Sequence, residues 1–306
     1  MSAPLRVGVA LLNWDAADLT LACIDSLLAG ETVPWRILVV DNGSTDGSQA
    51  CLRAAGRGVE LYESPENLGF AGGTNVAVRE LIASGADAVW VLNNDTVVGS
   101  ECLRELTAAL AADPDVAAVT GKILYESPAG RIWYAGAQWR RWSLTAPHRG
   151  QGRRDCGQFD VPCDVGFISG CCLLARAEAF MRVGLFNEKY FAYWEDAEWC
   201  LRARRAGLRL RYQPAATLEH KVSSSVRRNT LGRSGGTASP LAHYLVTRNR
   251  MFLIRQHASG PLQRIVALGG VLASRAFVAA GLTMLGRWDK LKSLAGGVRD
   301  GLWASL

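Results

Sequence analysis

Strand-length runs of mostly apolar residues alternate with helical segments over the first 112 residues, and no other feature of the sequence constrains the fold as strongly. The strand-length runs are residues 6–12, 35–40, 59–63 and 88–92. Helical periodicity marks residues 18–29, the stretch from Gly69 to about Ser84, and residues 99–112. Strands that alternate with helices of about ten to fifteen residues are typical of a parallel sheet. The pattern predicts an α/β fold with a doubly wound, mostly parallel sheet.

The fourth run ends in a cluster of oxygen-bearing side chains: Asn93, Asn94, Asp95 and Thr96. In open α/β sheets, ligands bind just beyond the carboxyl ends of the strands. Mg²⁺ and Mn²⁺ suit such a cluster, because they accept few protein carboxylates and complete their coordination with ligand phosphates. A simple turn explains the same residues equally well, since Asn and Asp are common in turns.

The glycine patterns of two large nucleotide-binding classes are missing. No GxGxxG follows the first run, which argues against a dinucleotide site, and no GxxxxGK[ST] is present, which argues against a phosphate-loop NTPase. Residues 69–73 (GFAGG) open a predicted helix and could offer backbone N–H groups to a phosphate. A tight turn would account for these glycines as well.

Two adjacent carboxylates, Glu195 and Asp196, begin a helix predicted to end near Ala206. Acidic residues at this position complement the helix dipole, which is a purely structural explanation. The aromatic residues around them favour a catalytic role, because desolvation raises the pKa of a carboxylate towards that of a useful base. These neighbours are Tyr190, Phe191, Tyr193 and Trp194.

Residues 121–165 contain strand-like pieces amid Gly, Arg and Trp, which indicates either a substrate-facing insertion or an irregular edge of the sheet. A further strand is predicted at residues 208–212, and His220 follows it. A lone histidine is more often structural than a ligand, but a neighbouring metal site would favour a ligand role. Residues 223–240 are rich in Ser, Arg and Gly, and we expect a mobile loop there.

The net charge of +6 is unevenly distributed. Residues 221–306 carry 13 Lys and Arg against two Asp, whereas the preceding residues carry 21 Lys and Arg against 26 acidic residues. A basic tail indicates an anionic partner such as a membrane surface, nucleic acid or a phosphorylated substrate. Within the tail, residues 243–256 and 262–285 have helical periodicity, and Arg264 and Arg275 interrupt the apolar second segment. That segment fits an interfacial helix better than a membrane span, and a hairpin packed on the body or on a second subunit explains it equally well.

The eight cysteines do not form a disulfide pattern, since Cys171 and Cys172 are adjacent and no zinc-like spacing occurs. We expect reduced thiols and a cytoplasmic protein. No N-terminal signal peptide is expected, because the apolar run at residues 5–12 has strand length and is broken by Asn13.

Assembled in order, these stretches resemble the family 2 glycosyltransferases of the GT-A fold, and most of all their bacterial rhamnosyltransferase group. The resemblance covers roughly residues 5–225. The matching pieces are residues 39–48 (VVDNGSTDGS), 66–75 (ENLGFAGGTN), 92–96 (LNNDT), 169–170 (SG), 191–198 (FAYWEDAE), and His220 followed by Ser223. Each piece is weak evidence alone, but their ordered combination is specific.

The resemblance implies a nucleotide-sugar site at the strand ends. The residues that it assigns to this site are Asn13 and Asp41 near the nucleobase and ribose, Asn67 and Gly69 in a loop that closes over the nucleotide, and Asn93 and Asn94. It also implies that Asp95 binds Mg²⁺ or Mn²⁺ and that His220 reaches the metal or the diphosphate. The broader family has Asp-x-Asp where this chain has Asn-Asn-Asp, which leaves one carboxylate fewer near the metal.

By the same resemblance, Asp196 is the catalytic base and Glu195 stands beside it. The implied activity is inverting sugar transfer from a nucleotide sugar, with dTDP-L-rhamnose as the predicted donor. The predicted acceptor is a bacterial surface or cell-wall glycan, including one linked to a polyprenyl diphosphate. UDP-galactofuranose and UDP-N-acetylglucosamine are alternative donors. A nucleotidyltransferase and a non-catalytic nucleotide-sugar-binding module are hypotheses from other classes.

The predicted organisation is a GT-A domain at residues 1–225 and a basic helical region at residues 226–306. The domain divides into a nucleotide-sugar-binding half, residues 1–120, and an acceptor-binding half, residues 121–225. We expect residues 241–306 to contact the inner face of the plasma membrane peripherally or to form a homodimer, and we expect no nucleic-acid partner.

Overall fold

The computed structural model describes residues 4–221 and 239–305, and ten strands within them form one sheet. The strands are β1 (Val7–Asn13), β2 (Arg36–Asp41), β3 (Glu60–Glu63), β4 (Ala88–Asn93), β5 (Thr96–Val98), β6 (Val116–Tyr125), β7 (Ile132–Tyr134), β8 (Cys163–Val165), β9 (Cys172–Arg176) and β10 (Arg209–His220). They lie in the order β3-β2-β1-β4-β9-β6-β10-β5, with β7 beside β6 and β8 beside β10. The predicted α/β class is confirmed.

The four predicted strand-length runs form the parallel half of the sheet, β3-β2-β1-β4. Most apolar side chains of β1, β2 and β4 are buried, as Val9, Val39 and Trp90 show, because helices cover these strands. The edge strand β3 is more exposed, and Tyr62 in it is 44% exposed. Residues 4–221 contain six α-helices: α1 (Ala17–Leu28), α2 (Ser48–Ala55), α3 (Gly69–Ala83), α4 (Cys102–Ala111), α5 (Ala177–Val183) and α6 (Glu195–Arg205). A 3₁₀ helix at Glu188–Tyr190 precedes α6.

The other half of the sheet is mixed. Strand β9 is antiparallel to both β4 and β6, whereas β10 is parallel to β6 and antiparallel to β5. The strand predicted to end at residue 212 continues to His220, and its register against β6 shifts between Gln213 and Thr217. Pro214 lies in this irregularity, where the missing N–H of proline is tolerated. The extension pairs His220 with Thr96, and so brings the histidine to the end of β4.

Residues 239–305 form three helices: α7 (Pro240–His257), α8 (Pro261–Met284) and α9 (Trp288–Trp303). The first two were predicted and the third was not. Helix α7 joins the hydrophobic core through Met251, Leu253 and Ile254, whereas most of α8 is exposed. The loop predicted at residues 223–240, with Ser223, falls almost wholly outside the described residues. The division at residue 225 stays a prediction.

All eight cysteines are free.

Candidate active site

The carboxyl ends of neighbouring strands bring three predicted site residues to one edge of the sheet. Asn13 at the end of β1 is in register with Asp41 at the end of β2, and Leu12 is in register with Asn93 at the end of β4. Because these strands are parallel, their exits face the same way. The edge therefore collects Asn13, Asp41 and Asn93 as the sequence predicted.

Asp41 is fully buried and accepts four hydrogen bonds from its own chain. Its Oδ2 accepts from Asn13 Nδ2 at 2.7 Å and from Ser44 Oγ at 2.6 Å, and its Oδ1 accepts from Ser44 N at 3.0 Å and Gln49 Nε2 at 2.8 Å. Burial opposes ionisation, but these bonds outweigh it and hold the pKa of Asp41 below its ordinary value. A carboxylate has about four acceptor sites, so Asp41 holds the turn at Ser44 rather than offering a free oxygen.

Thr20 connects the first strand to the Asn-Asn-Asp motif. Its Oγ1 donates to Asn13 Oδ1 at 2.7 Å and accepts from Asn94 Nδ2 at 2.8 Å. Sequence reasoning missed this residue, although a signal existed: Thr20 precedes Cys23 and Ile24 by three and four positions and therefore shares the buried face of α1. Asn94 is thus oriented by a side chain from another element.

Asp95 and His220 face each other without forming a hydrogen bond. His220 Nε2 lies 3.1 Å from Asp95 Oδ1, yet this Oδ1 is buried and lacks a hydrogen-bond partner. A buried carboxylate oxygen without a hydrogen bond is costly, and a cation bound by both this oxygen and the imidazole nitrogen would satisfy the two atoms. In residues 4–221 and 239–305, no group of three or more His, Cys, Asp or Glu side chains could hold a metal. The pair therefore suits an ion that takes most ligands from phosphate and water.

Trp133, in strand β7, packs against His220. The rings of Trp133 and His220 meet edge to face with centroids 4.6 Å apart, and His148 packs against the same indole at 4.6 Å. Burial lowers the pKa of His148 to about 4, so this second imidazole is neutral at neutral pH. Trp133 and His148 were not predicted as site residues, since only the fold brings them to β10.

The acidic pair begins α6, as predicted. Asp196 accepts hydrogen bonds from Gly170 N at 2.8 Å and from Ala197 N at 2.7 Å. Burial raises its pKa against the lowering effect of these bonds. Glu195 is buried, its Oε2 has no hydrogen-bond partner, and burial together with the charge of Asp196 raises its pKa well above the ordinary value. Both carboxylates therefore bind protons more strongly than exposed ones do.

A short segment at residues 169–171 joins the acidic pair to the Asn-Asn-Asp motif. Gly170 N donates to Asp196, while Cys171 O accepts from Asn93 N at 3.3 Å. Neither bond depends on a flexible side chain of the segment, so the backbone itself sets the relative position of the two motifs. The SG dipeptide in the sequence was the signal for this segment.

The glycine-rich loop meets the residues that precede the acidic pair. Asn67 Oδ1 accepts from Asn42 Nδ2 at 3.0 Å and from Gly69 N at 2.8 Å. Gly69 has φ +73°, and a Cβ there would lie 2.4 Å from the carbonyl oxygen of Phe191. Only glycine satisfies both conditions. Ala71 N then donates to the same Phe191 oxygen at 3.0 Å, so the predicted nucleotide loop and the acidic segment are in direct contact.

Comparisons with known proteins gave matches to a family model and to individual sequences. A family model described as "Glycosyl transferase family 2" matches residues 9–184. The N-acetylglucosaminyl-diphospho-decaprenol L-rhamnosyltransferase of Mycobacterium tuberculosis is 31% identical over 219 residues, which is 63% of this chain and 69% of the relative. The dTDP-rhamnosyl transferase RfbF of Shigella flexneri is 24% identical over 65% of this chain and 64% of the relative.

A solved structure shares the fold. The mannosyltransferase PcManGT from Pyrobaculum calidifontis, in complex with GDP-Man and Mn²⁺, superposes with a TM-score of 0.60. The comparison covers 100% of this chain and 89% of that protein at 16% identity. At that identity the likeness establishes the fold alone.

Proposed function

The chain belongs to glycosyl transferase family 2, and from this membership we propose that it transfers L-rhamnose from dTDP-L-rhamnose to a glycan acceptor with inversion. Rhamnosyl transfer in the names of two relatives supports the donor. One observation carries the chemistry: the segment at residues 169–171 bonds both to the half-buried carboxylate of Asp196 and to Asn93 at the end of β4. The backbone of this segment thus connects the proposed base to the proposed nucleotide-binding edge of the sheet.

We assign the nucleotide to the edge formed by β1, β2 and the glycine-rich loop. Asp41 organises this edge, since its carboxylate is occupied by Asn13 and the turn at Ser44. Asn67 shapes the loop by accepting the N–H of Gly69, and Asn42 holds the same loop by accepting the N–H of Leu68. Asn93 supplies a neutral oxygen or a sugar contact.

Asp196 acts as the base. It accepts the proton of the acceptor hydroxyl while that oxygen forms a bond to the anomeric carbon of the donor. The bond from the anomeric carbon to the diphosphate oxygen breaks on the opposite face, and the nucleoside diphosphate leaves with the bonding electrons. A raised pKa makes Asp196 a stronger base than an exposed aspartate, and its two backbone hydrogen bonds fix the carboxylate.

Asp95 and His220 are the residues that would hold Mg²⁺ or Mn²⁺, because their facing atoms include an unpartnered buried oxygen. When bound, such an ion stabilises negative charge on a departing diphosphate. Asp95 carries the only formal charge in the Asn-Asn-Asp motif. The protein's contribution to metal affinity therefore depends on Asp95 more than on any neighbour in that motif.

The donor assignment predicts selective binding. In calorimetry with Mn²⁺ or Mg²⁺ present, dTDP-rhamnose should bind at least about tenfold more tightly than UDP-galactose, UDP-galactofuranose or UDP-N-acetylglucosamine, a difference of about 1.4 kcal/mol. Transfer to a polyprenyl-diphosphate-linked glycan should follow the same order. Preference for UDP-galactofuranose or UDP-N-acetylglucosamine would overturn the assignment of dTDP-L-rhamnose as the donor, but it would not change the assignment to the family. Tight binding without transfer to any acceptor would favour a non-catalytic module.

We further propose that the region at residues 241–306 contacts the cytoplasmic face of the membrane through α8. This 24-residue helix is long and apolar enough to cross a bilayer, judged by length and composition alone. It exposes a series of apolar side chains: Leu262 62%, Ile265 67%, Phe277 84% and Met284 88%. The arginines at residues 264 and 275 and the net positive tail suit anionic headgroups. Such a surface would bring the enzyme to a lipid-linked acceptor.

Replacing both Ile265 and Phe277 by Asp should strongly weaken this contact. Each exposed apolar side chain contributes about 1.5–3 kcal/mol when buried, so binding to vesicles containing anionic lipid should fall by at least tenfold. Val161→Asp is the matched control, because Val161 is 74% exposed in a different part of the molecule. Sedimentation with vesicles measures the effect. Unchanged vesicle binding, or a loss of dimer in the double variant, would favour the second subunit as the partner of α8.

A further inference from the structure

Asn249, a buried side chain of α7, contacts the loop that leads into the acidic pair. Asn249 Nδ2 lies 2.7 Å from the carbonyl oxygen of Tyr190 and 2.8 Å from those of Ala192 and Tyr193. Its two N–H hydrogens are shared among these three acceptors. Asn249 Oδ1 accepts from Arg248 Nε at 2.9 Å, which fixes the orientation of the amide.

The contacted loop has an unusual backbone. Phe191, Tyr193 and Trp194 have φ values of 61°, 71° and 74°, and a non-glycine residue in this region costs about 1–3 kcal/mol. Three such residues within four positions persist only if surrounding contacts hold them. Two of the three carbonyl groups bound by Asn249, those of Ala192 and Tyr193, lie within this stretch, and that of Tyr190 directly precedes it. The amide therefore helps to hold the strained backbone in place.

The two arginines that flank Asn249 in the sequence contact the two ends of the same loop. Arg248 Nη2 donates to the carbonyl oxygens of Lys189 at 2.9 Å and Tyr190 at 3.2 Å. The guanidinium of Arg250 lies 4.7 Å from the ring centroid of Trp194. It also donates to the carbonyl oxygens of Ser143 and Leu144, in the segment between β7 and β8. Three consecutive residues of α7 thus bind the loop at residues 189–194 and the segment between β7 and β8.

We propose that Asn249 is a positioning residue, which acts through the loop at residues 190–194 to fix the position of Asp196 relative to the nucleotide loop at Gly69. The loop ends directly before Glu195, and its Phe191 oxygen accepts from Ala71 N. A shift of the loop would move the base and the nucleotide loop together. The inference rests on the proposed function for the role of Asp196, and it makes α7 part of the catalytic unit.

Asn249→Asp tests the proposal, because the isosteric carboxylate has no N–H to donate and would face three carbonyl oxygens. We expect kcat to fall roughly 100-fold, the size of effect that a displacement of about 1 Å causes, with KM for the donor within a few-fold. Amide hydrogen exchange at residues 188–196 should accelerate. Asn249→Gln, which keeps the amide donors, should recover part of kcat.

Thr247→Val is the matched control, since Thr247 is buried on the same helix and its Oγ1 has no hydrogen-bond partner; kcat and exchange should not change. If Asn249→Asp does not fold, Arg248→Met carries the test, because Arg248 is only partly buried. A folded Asn249→Asp with normal exchange at residues 188–196, or a loss of kcat that Thr247→Val shares, would overturn the proposal. Accelerated exchange alongside a fully active Asp196→Asn would instead overturn the role of Asp196 and leave the loop contact standing.

Discussion

Asp196→Asn should lower kcat by about 10²–10⁴-fold, the range that a positioned general base contributes, while donor affinity stays within a few-fold. The acceptor hydroxyl would lose the group that takes its proton, whereas the nucleotide edge at Asn13 and Asp41 would be intact. Steady-state kinetics with a saturating acceptor, together with donor calorimetry, separates the two effects.

Unfolding should not explain this loss. The pKa of Asp196 is raised in the folded protein, so the unfolded chain ionises first, and folding loses stability as pH rises from the unfolded to the folded pKa. Asn removes that cost above this window. It gives up one of the two backbone hydrogen bonds to the carboxylate, worth about 1.5–3 kcal/mol for a charged acceptor, and the two changes oppose each other. Thermal unfolding at neutral pH should therefore differ little.

The pH profile gives a second readout for the same base. Since Asp196 must be ionised to accept a proton, kcat should fall as pH drops through its raised pKa, at a pH above the ordinary range for aspartate. Glu195→Gln serves as the comparison, because Glu195 lacks the backbone bonds that orient Asp196. A larger loss in Glu195→Gln than in Asp196→Asn would transfer the role of base to Glu195.

Local sequence was sufficient wherever a site residue follows directly from a strand or helix boundary. Asn13, Asp41 and Asn93 end parallel strands, and parallel strands must place their carboxyl ends at one edge. Glu195 and Asp196 begin a helix, so their location was predictable as well. In each case the residue lies at an end of its own element, so the boundary of that element determines its location.

Contacts between distant elements were not predictable in this way. Asn249 lies 56–59 positions after the carbonyl groups that it binds, and within its own helix it resembles any polar residue. Trp133 likewise reaches His220 only because β7 and β10 both pair with β6. Nothing in the periodicity of either element states which other element it will meet. A buried polar residue in an otherwise apolar helical face, as with Thr20, is the one local signal that such a contact exists.

Asp95→Ala should remove the metal dependence of donor binding. In the presence of Mn²⁺ the donor affinity should fall by at least about tenfold, since even weaker perturbations of a metal site cost 10–100-fold in metal affinity. A chelator should reduce the affinity of the unchanged enzyme to the same level and should have no further effect on the variant. Calorimetric titration of the donor with Mn²⁺, and again with chelator, makes both comparisons.

Asp87→Asn provides the control for charge, because Asp87 is an exposed carboxylate just before the opposite end of β4, bound to Arg6. Its loss should leave metal-dependent binding unchanged. The unpartnered Oδ1 of Asp95 beside His220 is the structural reason to expect the difference. If the donor binds equally well with and without metal and Asp95→Ala still weakens it, then Asp95 contacts the sugar directly. The single carboxylate of the Asn-Asn-Asp motif would then indicate that groups other than a metal ion neutralise the diphosphate in this transferase.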